Sequence, residues 1–164
     1  VMQKAEHVLG LPVFAIDTGK CVGEVRDLLF NEHWRLEGIL LEEKGFFKKG
    51  EMVPSQQIVA IGEDCISIAS EEVIQPFPDF SYITMLRGDQ TLKGKMVYTV
   101  NGKELGQIQD VYFQPELGMI LGYELSDGFM ADVMEGRQVL RHPAQLAWGK
   151  DALIVPHDAE SVEP

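Results

Sequence analysis

Short apolar stretches, separated by turns rich in glycine, asparagine and aspartate, run the length of the 164-residue chain. Residues 11–16 and 95–100 are extended apolar runs with β-branched and aromatic side chains, a strand signature. Asn101-Gly102 supplies two residues that tolerate positive φ, as a tight hairpin requires, and Asp17-Thr18-Gly19 reads as a slightly longer version. Return strands are predicted over 22–30 and 105–113, each with a glycine where a bend or close approach excludes a side chain. Third strands follow over 36–42 and 119–126, then short ones at 52–53 and 138–140. Pro54 and Pro143 stand where a helical turn can begin without losing a hydrogen bond, so a brief turn is predicted after each. Residues 65–68 and 152–155 close each series as strands.

The series is a duplication. Residues 17–30 align with 100–113 at an offset of 83, with Gly23 over Gly106 and Asp27 over Asp110. Five of the fourteen pairs are identical, where ordinary residue frequencies give about one. The match continues through Gly38 and Gly122 after a one-residue slip, and on to Gly62-Glu63-Asp64 over Gly149-Lys150-Asp151. A period of this length suits a small domain better than a solenoid repeat. The fold expected is mainly β: two tandem small barrels, each with five or six short strands, one short helical turn and its own apolar centre. The boundaries expected are 1–72 for the first barrel, 73–88 for a Pro-containing linker, 89–157 for the second barrel and 158–164 for a polar, frayed tail. Phe77, Phe80 and Tyr82 make the linker too apolar for a free tether, so it is expected to pack against a neighbouring domain.

Charge narrows the partners. Fourteen Lys and Arg against 26 Asp and Glu give −12, divided as −7 over residues 1–82 and −5 over the rest. Phosphate backbones are repelled overall, so no direct nucleic-acid contact is expected. No apolar run reaches the roughly 18 residues that span a bilayer, and no transmembrane segment or secretion signal is read, which gives a cytoplasmic expectation. Cys21 and Cys65 form no CxxC pair and read as reduced thiols. His7, His33, His142 and His157 are too scattered for one helix face to hold a metal. No metal, cofactor or catalytic set is assigned.

The run Gly23-Glu24-Val25-Arg26-Asp27-Leu28-Leu29-Phe30, then Gly38-Ile39-Leu40-Leu41, then Val53-Pro54 before Ile58, resembles the PRC-barrel domain, and the second copy follows the same order. That family includes the cytoplasmic domain of the photosynthetic reaction centre H subunit and the C-terminal domain of the ribosome maturation factor RimM, which docks on a ribosomal protein. The resemblance implies an adaptor barrel that binds other proteins, and it carries no catalytic residues over. The chain lacks both the membrane helix of the first relative and the translation-factor-like domain of the second, so neither role transfers directly.

Individual residues sharpen the alternatives. Strict alternation turns Asp27 and Asp110 toward an apolar face, where an unpartnered carboxylate is costly. Either a bulge turns each outward, or each accepts backbone N–H bonds from the following loop. Phe46-Phe47 and Phe129-Met130 follow a glycine in surface connections, and adjacent strand residues cannot both face one core. They are candidate interaction residues or, alternatively, cover a barrel end. Trp34 is a candidate anchor or a lid over the core. Lys48-Lys49 reads as a solvated turn. The function expected is a non-enzymatic adaptor that binds a protein partner or forms a homodimer. One alternative is a small-ligand binder or hydrolase-like enzyme, with Asp110, His142 or His33 converging between the domains. The other is a ribosome-assembly accessory acting through a ribosomal protein.

Overall fold

A computed structural model describes residues 2–42, 50–77, 82–88, 90–116, 118–126, 138–159 and 161–162. The chain opens with β1 (Gln3–Lys4) and one helical turn, α1 (Ala5–Val8). The first copy then supplies β2 (Pro12–Ala15), β3 (Cys21–Phe30), β4 (Leu36–Glu42), β5 (Glu51–Pro54), β6 (Ile58–Ile61), β7 (Ile66–Ile68) and β8 (Gln75–Pro76). A short β9 (Ile83–Thr84) leads into the second copy. That copy comprises β10 (Met96–Thr99), β11 (Glu104–Gln114), β12 (Met119–Ser126), β13 (Gln138–Arg141), β14 (Ala147–Trp148), β15 (Ala152–Val155) and β16 (Ser161–Val162).

Two mainly β barrels form, with matching sheet orders of β6-β7-β2-β3-β4-β5-β8 and β14-β15-β10-β11-β12-β13-β16. The central hairpins expected from the hydrophobic pattern are those observed. In each copy the first strand also pairs in parallel with the strand that ends the unit, β2 with β7 and β10 with β15. Gly38 and Gly122 lie where neighbouring strands crowd the backbone. An added Cβ would sit 2.6 Å from the Val53 carbonyl oxygen at the first and 2.8 Å from that of Leu140 at the second.

Several expectations change. Each sheet counts eight strands rather than five or six because two-residue partners and the edge strands β6 and β14 are too short to show a period. A 3₁₀ turn forms at Ser55–Gln57, as expected, but residues 144–145 form only a bend. There the His142 amide donates to the Leu121 carbonyl, which keeps the backbone extended up to Pro143, and β14 begins at 147. The segment expected to be a linker carries β8 and β9, with Pro76 on a terminal strand of its sheet, where its missing donor is harmless. Phe77 and Tyr82 pack on each other at 5.9 Å between ring centroids. The tail expected to fray contributes β16, paired with β13.

The largest correction concerns the cores. The two apolar centres are not separate: Val13, Leu28, Phe30 and Ile39 belong to the same buried cluster as Val97, Val111, Phe113 and Tyr123. The halves are joined by exchanged strands. β9, which precedes the second barrel, pairs with β3 of the first, and β1, which precedes the first barrel, pairs with β11 of the second. The registers correspond, Phe30 with Ile83 and Phe113 with Gln3. The hairpin loops also meet across the junction: the Leu36 amide donates to Gly118, the Ile120 amide donates to Trp34, and Arg35 bridges Met119.

Candidate interaction site between the barrels

The exchanged arms explain the two buried aspartates. A bulge between Val25 and Asp27 breaks the alternation of β3, yet the carboxylate stays fully buried. It accepts from four backbone amides: Leu28 at 2.8 Å, Met85 at 2.9 Å, Leu86 at 3.0 Å and Arg87 at 2.9 Å. Three of these donors lie on the arm before the second barrel. Asp110 repeats the arrangement, accepting from Val111 at 2.7 Å and from Glu6 of the opposite arm at 3.0 Å. Neither aspartate is turned outward, and the donors come from the other half's arm as well as the adjacent residue. Burial raises both pKa values above the ordinary 3.8, while the amides oppose the shift.

The two clamps are unequal. Asp110 Oδ2 is buried without a hydrogen-bond partner, and Asp110 stands directly across the sheet from Glu124, whereas Asp27 faces Leu40. Glu6 and Glu124 reinforce the upward shift at Asp110. Lys4, on the same arm as Glu6, lies 3.5 Å from the Glu124 carboxylate and offsets part of this repulsion.

Where the loops meet, side chains of both copies line a cleft of about 280 Å³: Glu32, Trp34, Ile83, Gln90, Leu146 and Trp148. The two indoles stand edge to face with centroids 5.5 Å apart. Trp148 is fixed by its Nε1 donating to Gln90 Oε1 at 3.1 Å and by Lys95 Nζ lying 4.4 Å from its ring centroid. Lys95 in turn donates to the Gly149 and Lys150 carbonyls at 3.0 and 2.7 Å. Behind Trp34 lies His142, whose Nδ1 is 2.7 Å from the Tyr123 hydroxyl. Burial pushes the tyrosine pKa up and the histidine pKa down, so the hydroxyl donates to a neutral imidazole.

Trp34 is the one non-glycine residue with positive φ among the described residues, at 61°. The turn that holds it is built by Asn31, whose side-chain oxygen accepts from the His33 and Arg35 amides at 2.9 and 3.2 Å. The equivalent position in the second barrel is Gly118, with φ 71°. A left-handed backbone conformation costs a side chain roughly 1 kcal/mol or more, so glycine is the ordinary occupant.

Trp34, a candidate from the sequence, is thus half-buried at the junction of the barrels rather than a lid on one of them. Phe46, Phe47, Phe129 and Met130 lie outside the described residues, as do Lys48 and Lys49. The polar residues considered for an enzyme engage different neighbours: Asp110 the arm, His142 the Tyr123 hydroxyl, and exposed His33 the Glu32 carboxylate at 3.6 Å. Among the described residues no His, Cys, Asp and Glu group is arranged to hold a metal, and no helix is long and apolar enough to cross a membrane. Sequence reading missed Trp148, Gln90 and Lys95. The signal available was Trp34 standing where the other copy has glycine.

The profile of the PRC-barrel domain family matches twice, at residues 3–73 and 86–162. A relative described as "Uncharacterized protein YrrD" of Bacillus subtilis (strain 168) is 30% identical over 160 residues, covering 94% of this chain and 87% of its own length. The first matched stretch begins at β1 and the second just after β9, so that β8, β9 and the cleft residue Ile83 lie between the two. The chain belongs to the PRC-barrel domain family and carries two copies of the domain in tandem.

Proposed function

We propose that the protein is a non-enzymatic adaptor whose two barrels act as one rigid body and hold a protein partner at the cleft between them. The observation that carries this reading is Trp34, kept half-exposed at a strained backbone position beside Trp148. Strain of this kind persists where the side chain is needed, and half-buried tryptophans at a concave junction are what interface anchors are made of. The exchanged arms hold the two walls of the cleft in fixed relation, which lowers the ordering cost of binding. A hydrolytic reading draws less support, since both aspartates are occupied by backbone donors and lie away from solvent.

The test is site-specific photo-crosslinking in the native cell, with the reactive group at Glu32 on the cleft rim and, in a second variant, at exposed Glu63. A protein adduct formed from position 32 and absent from position 63 supports the adaptor reading. Equal or absent adducts at both positions, with a monomeric sedimentation profile, would overturn it. An adduct between two copies of this chain would identify the partner as a second protomer.

A further inference from the structure

We propose that the cleft between the barrels is an arginine notch, seating the guanidinium of a partner protein's exposed arginine. This rests on the adaptor reading and narrows its chemistry. Three independent features favour a cation. The protein carries a net charge of −12, which draws basic segments toward it, and Glu32 puts a carboxylate at the mouth of the cleft. That carboxylate has His33 at 3.6 Å, which competes for it only when protonated. The walls are indoles, the aromatic faces that attract cations most strongly. The chain already uses one in this way: the Lys95 ammonium lies over Trp148, with the carbonyls it donates to standing in for part of its hydration. Trp34 lines the same cleft, half-buried between Trp148 and the imidazole of His142.

Shape favours arginine over lysine. A guanidinium is planar, stacks on an indole and gives up its hydration more readily than an ammonium. Ile83 and Leu146 offer apolar surface to the methylene stem behind it. The occupied face of Trp148 directs the incoming group to Trp34. The comparison between copies supports the same assignment: the second barrel places Gly118 at this turn position, and the first places a strained tryptophan there.

The protein contains two tryptophans, both in the cleft, so emission under excitation that selects tryptophan over the four tyrosines reports on this site. The full chain is titrated with a blocked Gly-Arg-Gly-Arg-Gly peptide and with its citrulline counterpart, which keeps the shape and loses the charge. The expected result is a saturable emission change with arginine and none with citrulline. Glu32→Gln, at an exposed side chain, weakens binding several-fold and flattens its salt dependence. Trp34→Gly, whose backbone fits the turn as Gly118 does, weakens it by about tenfold or more in a calorimetric titration. Circular dichroism checks its fold, and Glu32→Gln keeps the test decisive if that variant does not fold. No saturable change with arginine, an equal change with citrulline, or unaltered affinity in Glu32→Gln would overturn the proposal. If position 32 still crosslinks a partner while arginine fails, the adaptor reading stands and the cation chemistry falls. If arginine binds and no partner crosslinks, the adaptor reading falls.

Discussion

Phe30 and Phe113, which hold the same position in the two copies, meet edge to face with ring centroids 6.4 Å apart. Equivalent residues touch each other at a two-fold axis, and Arg35 bridging its counterpart Met119 marks the same axis. The two barrels are therefore related as the halves of an isologous dimer, with both protomers on one chain. Phe30→Ala and Phe113→Ala are each expected to cost about 3–5 kcal/mol and to lower the stability of the whole molecule. The double variant is expected to cost less than the sum because the pair shares one contact. Urea unfolding followed by far-ultraviolet circular dichroism measures both; strict additivity would contradict the shared contact.

The two aspartate clamps predict opposite responses to the same substitution. Asp27→Asn turns an amide nitrogen toward backbone N–H donors and is expected to cost about 1–3 kcal/mol. Asp110→Asn removes a charge opposite Glu124 and an oxygen without a partner, so its effect is expected to be near zero or stabilising. Unfolding midpoints of the two variants in one buffer decide the order, and a larger loss at position 110 would reverse it.

Acidity acts on the junction through His142. Its folded pKa lies below the ordinary 6.5 because the ring is desolvated, so the stability it contributes is present above that value and lost as pH falls through the depressed folded pKa. Asp110 has the opposite sign: its raised pKa gives stability present below 3.8 and lost as pH rises through the folded value. Melting temperature is expected to fall on acidification below about pH 6.5, with a shallower slope in His142→Gln, which retains an acceptor for Tyr123 without titrating. An unchanged slope would remove His142 from the explanation.

Close backbone approach at Gly38 and Gly122 makes both intolerant of even a methyl group. Gly38→Ala and Gly122→Ala are each expected to cost about 1–3 kcal/mol, since the obstructing atoms are carbonyl oxygens of neighbouring strands and not only flexible side chains. Gly102→Ala adds a Cβ with nothing within 4 Å, though at positive φ, so it isolates the backbone contribution alone. Thermal unfolding of the three variants separates crowding from conformation.

The long strands were legible because aliphatic and aromatic residues gather between turn signals and glycine marks their bends, as in Val22–Phe30 and its counterpart. The duplication was legible from the glycines, the aspartate and the phenylalanine. The exchange of arms was not. β1 and β9 are two residues long and carry no periodicity, and their partners lie in the other half of the chain. Without the arms, Asp27 and Asp110 read as anomalies, because their amide donors come largely from residues remote in sequence. Of the cleft, Trp34 alone was singled out. Trp148 and Gln90 reach it only through the pairing of the two copies.

Reciprocal docking of the arms is tested most directly by amide hydrogen exchange on the chain with residues 1–4 removed. The arm before the first barrel pairs with Tyr112 and Phe113, and its Lys4 faces Glu124, so loss of protection is expected in β11 and β12 of the second barrel. Protection in β3, held by the other arm, is expected to stay high. Loss confined to the first barrel, or no loss in either, would contradict the exchange.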